Sequence, residues 1–395
     1  MDSTWISTLL LTLAAAGCAY ALAAAWLAGR AAGRPTPTLP AGAARPSVTL
    51  MKPLCGDEPN LYENLTSFCR QDYAGPVQII FGVQSAADPA LAMVARLKAE
   101  HPDLRIDLAL DARQHGSNRK VSNLINMAGL IAHEVVVLAD SDMVVRPDYL
   151  ERIVAELGRP GVAAVTCLYH GVPAQRSVWA QLSTLAIDTQ FLPNVLVGTG
   201  LSLAEPCFGS TIAFRAEALA AIGGFERVKD DLADDYALGA ALRGAGGGIV
   251  AIPNFTIGHT CVDTSLSDLW RHETRWNRTI RNVDPAGYAG SLVTHAFPLA
   301  LIGALMPNTS PQGLAIAALA LTCRIVLCLR LERAFGLDPH PYWLLPIRDL
   351  VSFAGFVWCF ASGAVTWKGH DYRVVADGTL IPEPGLAQET GAPTT

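Results

Sequence analysis

The sequence has little charge for its length. Only 16% of its 395 residues are charged and 51% are hydrophobic, whereas an ordinary soluble enzyme carries about 25% charged residues. The apolar excess is concentrated in Trp5–Leu27 and after Ser291, and both regions are typical of membrane segments. The formal net charge of −6 and the lack of a basic tract with interleaved aromatic residues argue against nucleic acid as a partner.

Other features that the sequence lacks exclude further classes of protein. The nine cysteines contain no CxxC pair, which argues against a zinc site, and their odd number fits reduced thiols better than a disulfide framework. The first apolar run has no basic residue before it and is too long for a secretory signal, so we interpret it as a membrane anchor. Arg30 and Arg34 follow it, which predicts an external N-terminus and a cytoplasmic continuation.

Short apolar runs alternate with helical patterns after the anchor. Strands are predicted at Val48–Leu54, Gln78–Val83, Arg105–Leu110, Val135–Ala139 and Val162–Thr166, and helices at Pro89–Glu100, near Val121–Ile131 and at Pro147–Leu157. This alternation predicts an α/β fold with a mostly parallel sheet and helices on both faces. Such sheets bind ligands at the carboxyl ends of their strands.

The sequence divides into five predicted segments. We predict an N-terminal transmembrane anchor at 1–30, a Pro/Ala/Gly-rich linker at 31–47, an α/β domain at 48–290 with an amphipathic helix at 264–282, C-terminal membrane helices at 291–370 and a flexible tail at 371–395. Arg324, Arg348 and Asp349 interrupt the C-terminal apolar stretches. Each stretch therefore either crosses the membrane or lies in its interface.

Two carboxylates follow a run of β-branched residues that is typical of a buried strand. Asp140 and Asp142 end the stretch VVVLADSD, at the carboxyl end of the predicted strand Val135–Ala139. Oxygen ligands at that edge suit a hard divalent cation such as Mg²⁺ or Mn²⁺, which usually binds together with phosphate. The alternative is a solvated turn, in which Asp and Ser are common.

Asp88 and Lys120 are further candidates at the same edge. Asp88 follows the strand Gln78–Val83, where it would accept a hydrogen bond from a nucleobase or a ribose hydroxyl. Alternatively, Asp88 caps the helix that starts at Pro89. Lys120, in the segment NRKVSNLIN, either neutralises phosphate or is an ordinary exposed lysine.

The segment LADDYALG supplies a second acidic pair. We predict that one of Asp234 and Asp235 faces the site as a general base, while the other faces solvent. The alternative is an acidic first helical turn, which the helix dipole favours.

The predicted helix at 264–282 has two unlike faces. At 100° per residue, one face carries Arg271, Arg275, Arg278 and Arg281, and the opposite face carries Leu266, Leu269, Trp276 and Ile280. Such a basic amphipathic helix suits a membrane surface, and its guanidinium groups also suit a leaving diphosphate. A solvated arginine face is the remaining interpretation.

Together these motifs resemble a known family of enzymes. Asp88, the DSD at Asp140–Asp142, the DDY at Asp234–Tyr236 and the HETRW at His272–Trp276 match the D, D, D, (Q/R)xxRW series of family 2 and family 21 glycosyltransferases. The opening KPLCGDEPNLYENL, at Lys52–Leu65, resembles ceramide glucosyltransferases. The segments CFGST, LADDYALG and RHETRW resemble bacterial members, including hopanoid-associated glycosyltransferases.

The resemblance implies a GT-A fold, with a Rossmann-like and mostly parallel sheet, and a role for each motif. Asp140 and Asp142 would lie at the metal–diphosphate position, and Asp235 would deprotonate the acceptor hydroxyl. The candidate substrate-binding residues are Asp88, at the uridine, with Lys120, Asp234, His272, Arg275 and Trp276. The family has Gln or Arg where this chain has His272, which has a shorter reach and a charge that depends on pH.

The predicted function is that of a membrane-bound inverting glycosyltransferase. It would use Mg²⁺ or Mn²⁺ to transfer glucose or N-acetylglucosamine from a UDP-sugar to the hydroxyl group of a membrane lipid, a hopanoid or a ceramide. We expect a multi-pass protein of the cell inner membrane with a cytoplasmic catalytic domain. The alternative is a processive polysaccharide synthase, although the short C-terminal region argues against a secretion channel. A transporter or a receptor is a third interpretation. The small number of predicted membrane spans and the complete series of catalytic motifs argue against it.

Overall fold

The structure is a computed structural model that describes residues 3–40, 42, 44–306, 311–361, 364–367, 370–374 and 380–382. The tail predicted at 371–395 therefore lies mostly outside the described residues.

The strands and helices are numbered in chain order. The strands are β1 Val48–Pro53, β2 Val77–Val83, β3 Arg105–Leu110, β4 Val135–Leu138, β5 Met143–Val144, β6 Val162–Thr166, β7 Leu168–Pro173, β8 Ile212–Arg215, β9 Ile249–Ala251, β10 Thr256–Cys261, β11 Ala364–Trp367, β12 His370–Val374 and β13 Leu380–Pro382. The helices are α1 Ser3–Ala32, α2 Leu61–Cys69, α3 Ala90–Glu100, α4 Arg119–Ala128, α5 Tyr149–Leu157, α6 Val178–Ala186, α7 Leu192–Gly200, α8 Ala216–Ala221, α9 Asp234–Gly246, α10 Leu266–Val283, α11 Pro285–Gly290, α12 Ala296–Leu305, α13 Gln312–Phe335 and α14 Leu345–Ala361. A π-helix spans Ile187–Phe191, between α6 and α7.

A seven-stranded sheet in the order β3-β2-β1-β4-β8-β6-β9 forms the centre of the α/β domain. Strands β1, β2, β3 and β4 are parallel, and β8 runs antiparallel to both of its neighbours. The predicted α/β class with a mostly parallel sheet is therefore confirmed. The carboxyl ends of β1, β2 and β4 meet at one edge, where the segments that carry the predicted site begin.

Helices bury both faces of the sheet, and alternate strand residues point to opposite faces. In β1, Leu50 packs into a core with Phe68 of α2, whereas the adjacent Met51 packs on the other face with Leu124 of α4. Helices α2, α3 and α5 cover the first face, and α4, α8 and α9 cover the second. Each fully buried large apolar side chain contributes about 1.5–3 kcal/mol relative to exposure.

A second sheet, in the order β5-β10-β7, lies beyond the end of β4. The sequence pattern does not predict β7 or β10, because their segments LYHGVP and TIGHTC interrupt apolar residues with Gly, His and Pro. Antiparallel pairing of β5 with β10 sets His259 opposite Met143. This register brings β10 alongside the segment that holds the predicted Asp140–Asp142 motif.

Three helices are long and apolar enough to cross a membrane, by length and composition, within the described residues. They are Thr4–Ala32, Gln312–Phe335 and Tyr342–Ala361, and a pair bent by 62°, Pro285–Thr294 with Ala296–Leu305, would make a fourth span if counted as one. Alanines such as Ala14, Ala24 and Ala28 are buried where α1 packs against α12 and α13. Small residues at such contacts allow helix backbones to approach closely.

The charges that interrupt the C-terminal apolar stretches are paired in the protein interior. Arg324 of α13 and Asp349 of α14 form an ion pair with an N–O distance of 2.8 Å. Arg348 of α14 forms an ion pair with Glu273 of α10. Because each charge has a buried partner, none of the three faces lipid on its own.

The described part of the predicted linker contacts the α/β domain. Residues 35–40, 42 and 44–47 contain no helix or strand. Arg45 nevertheless makes two hydrogen bonds to Glu151 of α5, at 2.7 and 3.1 Å, and Asn254 donates to the Arg34 carbonyl at 2.6 Å. These bonds hold the linker against the domain.

Candidate active site

Asp88 lies just past β2, at the carboxyl edge of the sheet. Its carboxylate accepts a hydrogen bond from the Ala90 amide at 2.9 Å, as a residue that caps α3 does. It also accepts from the Gly56 amide at 3.0 Å, in the loop that follows β1. In the same loop, Glu58 accepts a hydrogen bond from Ser141 at 2.5 Å. Asp88 is thus linked to the DSD motif through this loop.

Asp140 forms the first part of a charged cluster beyond β4. Its Oδ1 atom lies 2.6 Å from the Lys120 ammonium group, which also lies 3.6 Å from Asp234. Burial lowers the pKa of Lys120, but the charges of Asp140 and Asp234 raise it above its usual value. Lys120 is therefore a charged group between two carboxylates, and not the exposed lysine that was the alternative.

Asp142 pairs with a histidine that the sequence pattern does not single out. The Nε2 atom of His259 lies 3.2 Å from Asp142 Oδ2. Burial opposes ionisation of both groups, but their attraction holds the pKa of Asp142 below its usual range and that of His259 well above it. Asp142 Oδ1 is buried without a hydrogen-bond partner in the described part of the chain.

Asp234 and Asp235 both point inward at the start of α9. Asp234 is buried and accepts a hydrogen bond from Asn118 at 3.3 Å. Asp235 accepts hydrogen bonds at 2.8 Å from two backbone amides, those of Gly209 and Tyr236. The expectation that one carboxylate faces solvent is wrong, because Lys120 and the Gly209 amide supply partners inside the site.

Burial and the charge of Asp234 raise the pKa of Asp235 to about 6, although Lys120 opposes this rise. A carboxylate with such a pKa is mostly ionised at neutral pH and is a stronger base than an ordinary aspartate. Asp235 therefore has the properties of a general base.

Arg275 and Trp276 bring α10 to the same site. Burial lowers the pKa of Arg275, while the charges of Asp142 and Asp140 oppose this effect. Its guanidinium group forms no hydrogen bond or ion pair with any residue that the structure describes. The Trp276 ring lies 6.0 Å from the His259 ring, measured between centroids. One side of the site at the carboxyl edge of the sheet, called the crevice below, is thus formed by Asp142, His259, Arg275 and Trp276.

His272 lies on the same helix but contacts a different group. Its Nδ1 atom lies 2.7 Å from Asp263, a buried carboxylate that precedes α10. Its ring is nearly parallel to that of Trp276, with an interplanar angle of 8°. His272 therefore links the start of α10 to Trp276.

An aromatic cluster lies between the crevice and the apolar helices. Tyr169 of β7 stacks on Phe191 of the π-helix at 4.2 Å between ring centroids, and its ring lies 5.6 Å from that of His259. Phe191 also contacts Phe208, which immediately precedes Gly209. Phe191 and Phe208 pack against the core that α1, α12 and α13 share. Tyr169 and His259 are site residues that no motif in the sequence indicates.

The candidate metal residues do not form a closed protein site. Groups of three or more His, Cys, Asp or Glu side chains that could hold an ion are absent from the part of the chain that the structure describes. Asp142, with its unpartnered oxygen, provides one potential carboxylate ligand, and Asp140 of the same motif, which pairs with Lys120, provides a second. This arrangement fits Mg²⁺ and similar ions, which proteins often bind with one or two carboxylates while substrate phosphates complete the coordination.

A family model described as glycosyl transferase family 21 matches residues 9–380. The chain belongs to this family. The resemblance inferred from the sequence motifs is therefore confirmed, and the match includes both the α/β domain and the apolar helices.

Relatives of this chain have names that specify different sugars. The chain is 28% identical over 213 residues to ceramide glucosyltransferase 1 of Caenorhabditis elegans. The aligned region covers 54% of this chain and 44% of that protein. It is 26% identical over 296 residues to an N-acetylglucosaminyltransferase of Bradyrhizobium diazoefficiens. That alignment covers 71% of this chain and 58% of the Bradyrhizobium protein. The chain thus spans less than two thirds of the length of these relatives.

The fold of this family 21 chain is also found in a solved structure. A mannosyltransferase from Pyrobaculum calidifontis, in complex with GDP-Man and Mn²⁺, aligns with a TM-score of 0.51 and 21% identity. The alignment covers 90% of this chain and 99% of that protein. The predicted GT-A fold is thereby confirmed.

Proposed function

We propose that this protein transfers a sugar from a UDP-sugar to the hydroxyl group of a membrane lipid. The observation that carries the proposal is the environment of Asp235. A carboxylate with a raised pKa lies in the crevice that also holds Asp140, Asp142 and Arg275. These groups have the chemistry that glycosyl transfer needs, which is a base for the acceptor and charge stabilisation for the departing nucleotide.

Asp235 would remove the proton from the acceptor hydroxyl as that oxygen attacks the anomeric carbon. The Gly209 and Tyr236 amides fix the carboxylate through separate oxygen atoms, which limits its rotation. Attack from the face opposite the UDP inverts the configuration of the sugar. A single catalytic carboxylate is sufficient, because this reaction forms no covalent glycosyl-enzyme.

The other side of the crevice would bind the UDP-sugar. Arg275 carries a guanidinium group without an ion-pair partner among the described residues, and such a group suits the negative charge of the departing diphosphate. Asp88 and the Gly56 loop would contact the uridine. The diphosphate site would be bordered by Lys120, which its ion pairs with Asp140 and Asp234 hold in place.

Asp140 and Asp142 would hold Mg²⁺ or Mn²⁺. When bound, the ion would neutralise charge on the diphosphate. The Pyrobaculum mannosyltransferase was solved in complex with GDP-Man and Mn²⁺. His259 is ion-paired with Asp142, so ion binding would replace that contact and favour the neutral imidazole.

The apolar helices would supply the acceptor. Phe191 and Phe208 belong to the aromatic cluster beside the crevice and also pack against the core of α1, α12 and α13. A lipid alcohol in the bilayer could approach Asp235 along this side while its chains remain in lipid. We propose that the protein lies in the cell inner membrane with the catalytic domain in the cytoplasm, as Arg30 in the last turn of α1 and Arg34 just after this helix support.

Candidate donors and acceptors follow from the relatives. UDP-glucose with ceramide corresponds to the nematode enzyme's name, and UDP-N-acetylglucosamine corresponds to that of the bacterial enzyme. A hopanoid polyol is the second candidate lipid, because it also presents a hydroxyl group on a bulky apolar body.

The test is UDP release by the full chain in detergent, with each donor and lipid combined in turn. We expect release that depends on the lipid, and mass spectrometry should identify one added hexose or N-acetylhexosamine. A polymeric product would instead support a processive synthase. Absence of release with every pair, from protein that binds UDP, would contradict lipid glycosylation.

A further inference from the structure

The face of α10 that points away from the crevice packs closely against α14. Trp270 lies 6.4 Å from Trp358 between ring centroids, and the Cys359 thiol lies 3.7 Å from the Thr274 carbonyl. A side chain at Gly355 would come within 3.0 Å of Glu273, so glycine permits the close approach. The contact residues on α10 follow one another at helical spacing, on the side opposite Arg275 and Trp276.

A buried ion pair crosses this helix contact. Arg348 of α14, with a fully buried side chain, pairs with Glu273, whose side chain is 9% exposed. The Arg348 guanidinium also donates to Ser352 at 3.0 Å and to the Leu182 carbonyl at 3.4 Å. Ser352 in turn donates to Gln190 of the π-helix. The network therefore joins α14, α10, α6 and the π-helix.

Burial of these charged and polar groups costs desolvation free energy, so the presence of the network calls for a structural explanation. An apolar contact of the same volume often gives equal or greater stability than a buried ion pair. A fully hydrogen-bonded network favours one arrangement of the helices, because its bonds are all satisfied only in that arrangement. Glu273 lies two residues before Arg275, and Gln190 lies one residue before Phe191. The network is thus next to two walls of the crevice.

We propose that Glu273 and Arg348 are a positioning pair, which fixes the rotation of α10 and so holds Arg275 and Trp276 against Asp142 and His259. The inference rests on the proposed function, since it assigns Arg275 to the diphosphate. Loss of the pair would leave Arg275 in the chain but less precisely placed. Both UDP binding and turnover would then decrease beyond what a general loss of stability explains.

The first experiment compares Glu273→Gln with two matched controls in the full chain. Asp349→Asn breaks an equally buried pair on α14, with Arg324, that does not involve α10. Asp268→Asn breaks the exposed pair with Arg271 at the start of α10, where Asp268 also accepts hydrogen bonds from Thr264 and Ser265. The measurements are UDP affinity by calorimetry in the presence of Mn²⁺, kcat and KM for the donor, and the melting temperature.

We expect Glu273→Gln to weaken UDP binding and lower kcat by at least about tenfold, which corresponds to about 1.4 kcal/mol. Asp349→Asn should lower the melting temperature at least as much while UDP affinity remains within about twofold of the wild type. Asp268→Asn should leave UDP affinity unchanged. Equal UDP affinities in Glu273→Gln and Asp349→Asn would overturn the proposal.

A second variant separates positioning from stability. Replacing both partners, Glu273→Met with Arg348→Met, removes the buried charges together, and we expect the melting temperature to recover relative to Glu273→Gln. UDP affinity should stay low, because an apolar contact does not fix the helix rotation. Recovery of both quantities, or an undiminished hydrogen-exchange protection of α10 in Glu273→Gln, would overturn the proposal.

Failure of the proposed function gives a different result. If the wild-type chain binds UDP but transfers no sugar to lipid, the function is wrong while the positioning pair is still tested by UDP affinity. If the wild type transfers sugar and Glu273→Gln does so equally well, the function stands and the positioning pair is wrong.

Discussion

The Gly209 amide donates a hydrogen bond to Asp235 at 2.8 Å. Gly209 also leaves space for the opposite side of the site, since a Cβ atom there would lie 2.6 Å from Asp140 Oδ2 and 2.9 Å from the Lys120 ammonium nitrogen. The candidate base and the charged DSD motif therefore meet at one residue without a side chain. This relationship can be tested separately by substitution of Asp235, by the pH dependence of activity and by substitution of Gly209.

Asp235→Asn should abolish sugar transfer while UDP binding is largely kept. An amide of the same shape can remain near the Gly209 amide but cannot accept the acceptor's proton. We expect kcat to decrease by about 10²–10⁴-fold, the usual contribution of a general base, in a UDP-release assay. Asp103→Asn, at an exposed carboxylate, is the control that should keep full activity. Near-normal turnover of Asp235→Asn would show that another group is the base.

Activity should depend on pH through the ionisation of Asp235. Because its pKa is raised to about 6 and only the ionised form accepts a proton, kcat/KM should increase as pH rises through about 6 and then level off. Asp234→Asn removes a neighbouring charge that raises this pKa, so the inflection should move to lower pH. An inflection that moves upward, or stays in place, would contradict this electrostatic assignment.

The sequence predicts the strands that are continuous apolar runs and fails for β7 and β10, whose apolar residues are interrupted by Gly, His and Pro. The boundaries of β3 and β6 agree with the prediction, and β1, β2 and β4 differ from it by a single residue at one end. β10 instead pairs along its whole length with the distant strand β7, so its formation depends on tertiary contacts. Its shorter pairing with β5 sets His259 opposite Met143. The proximity of His259 to Asp142 is a consequence of that register and has no local signal.

The two faces of α10 show a second limit of sequence periodicity. Leu266 and Ile280, predicted on the apolar face, are each 51% exposed in the structure. Glu273 is buried instead, because Arg348 of α14 supplies its partner. The bounds of α10, Leu266–Val283, differ from the predicted 264–282 by two residues and one residue. Periodicity therefore locates this helix, but buried ion pairs decide which side faces the neighbouring helix.

Gly209→Ala should damage catalysis more than folding. The added Cβ would meet the ends of the Asp140 and Lys120 side chains, which can move aside at the expense of their ion pair. We expect kcat to fall by about 10²-fold, as small displacements of reacting groups commonly cause, and stability to fall by about 1 kcal/mol. Gly129→Ala is the matched control, because no atom outside its own neighbours lies within 4 Å of a Cβ there. Equal kcat values for the two variants would contradict the close approach at Gly209.

Asp142→Asn should weaken the dependence of UDP binding on divalent metal. Asp142 Oδ1 is a buried acceptor without a donor among the described residues, which leaves it available to a cation, and an amide oxygen in its place carries no charge. The measurement is UDP affinity at increasing Mn²⁺ concentration, with chelator as the metal-free reference. The variant should need more than about tenfold more Mn²⁺ for half-maximal binding, which corresponds to about 1.4 kcal/mol. Asp148→Asn, at a carboxylate whose side chain is 44% exposed and paired with Arg152, should leave the Mn²⁺ requirement unchanged. If Asp142→Asn has the same requirement as the wild type, the metal is held elsewhere or is not used, and the assignment of the DSD motif to a metal–diphosphate site is wrong.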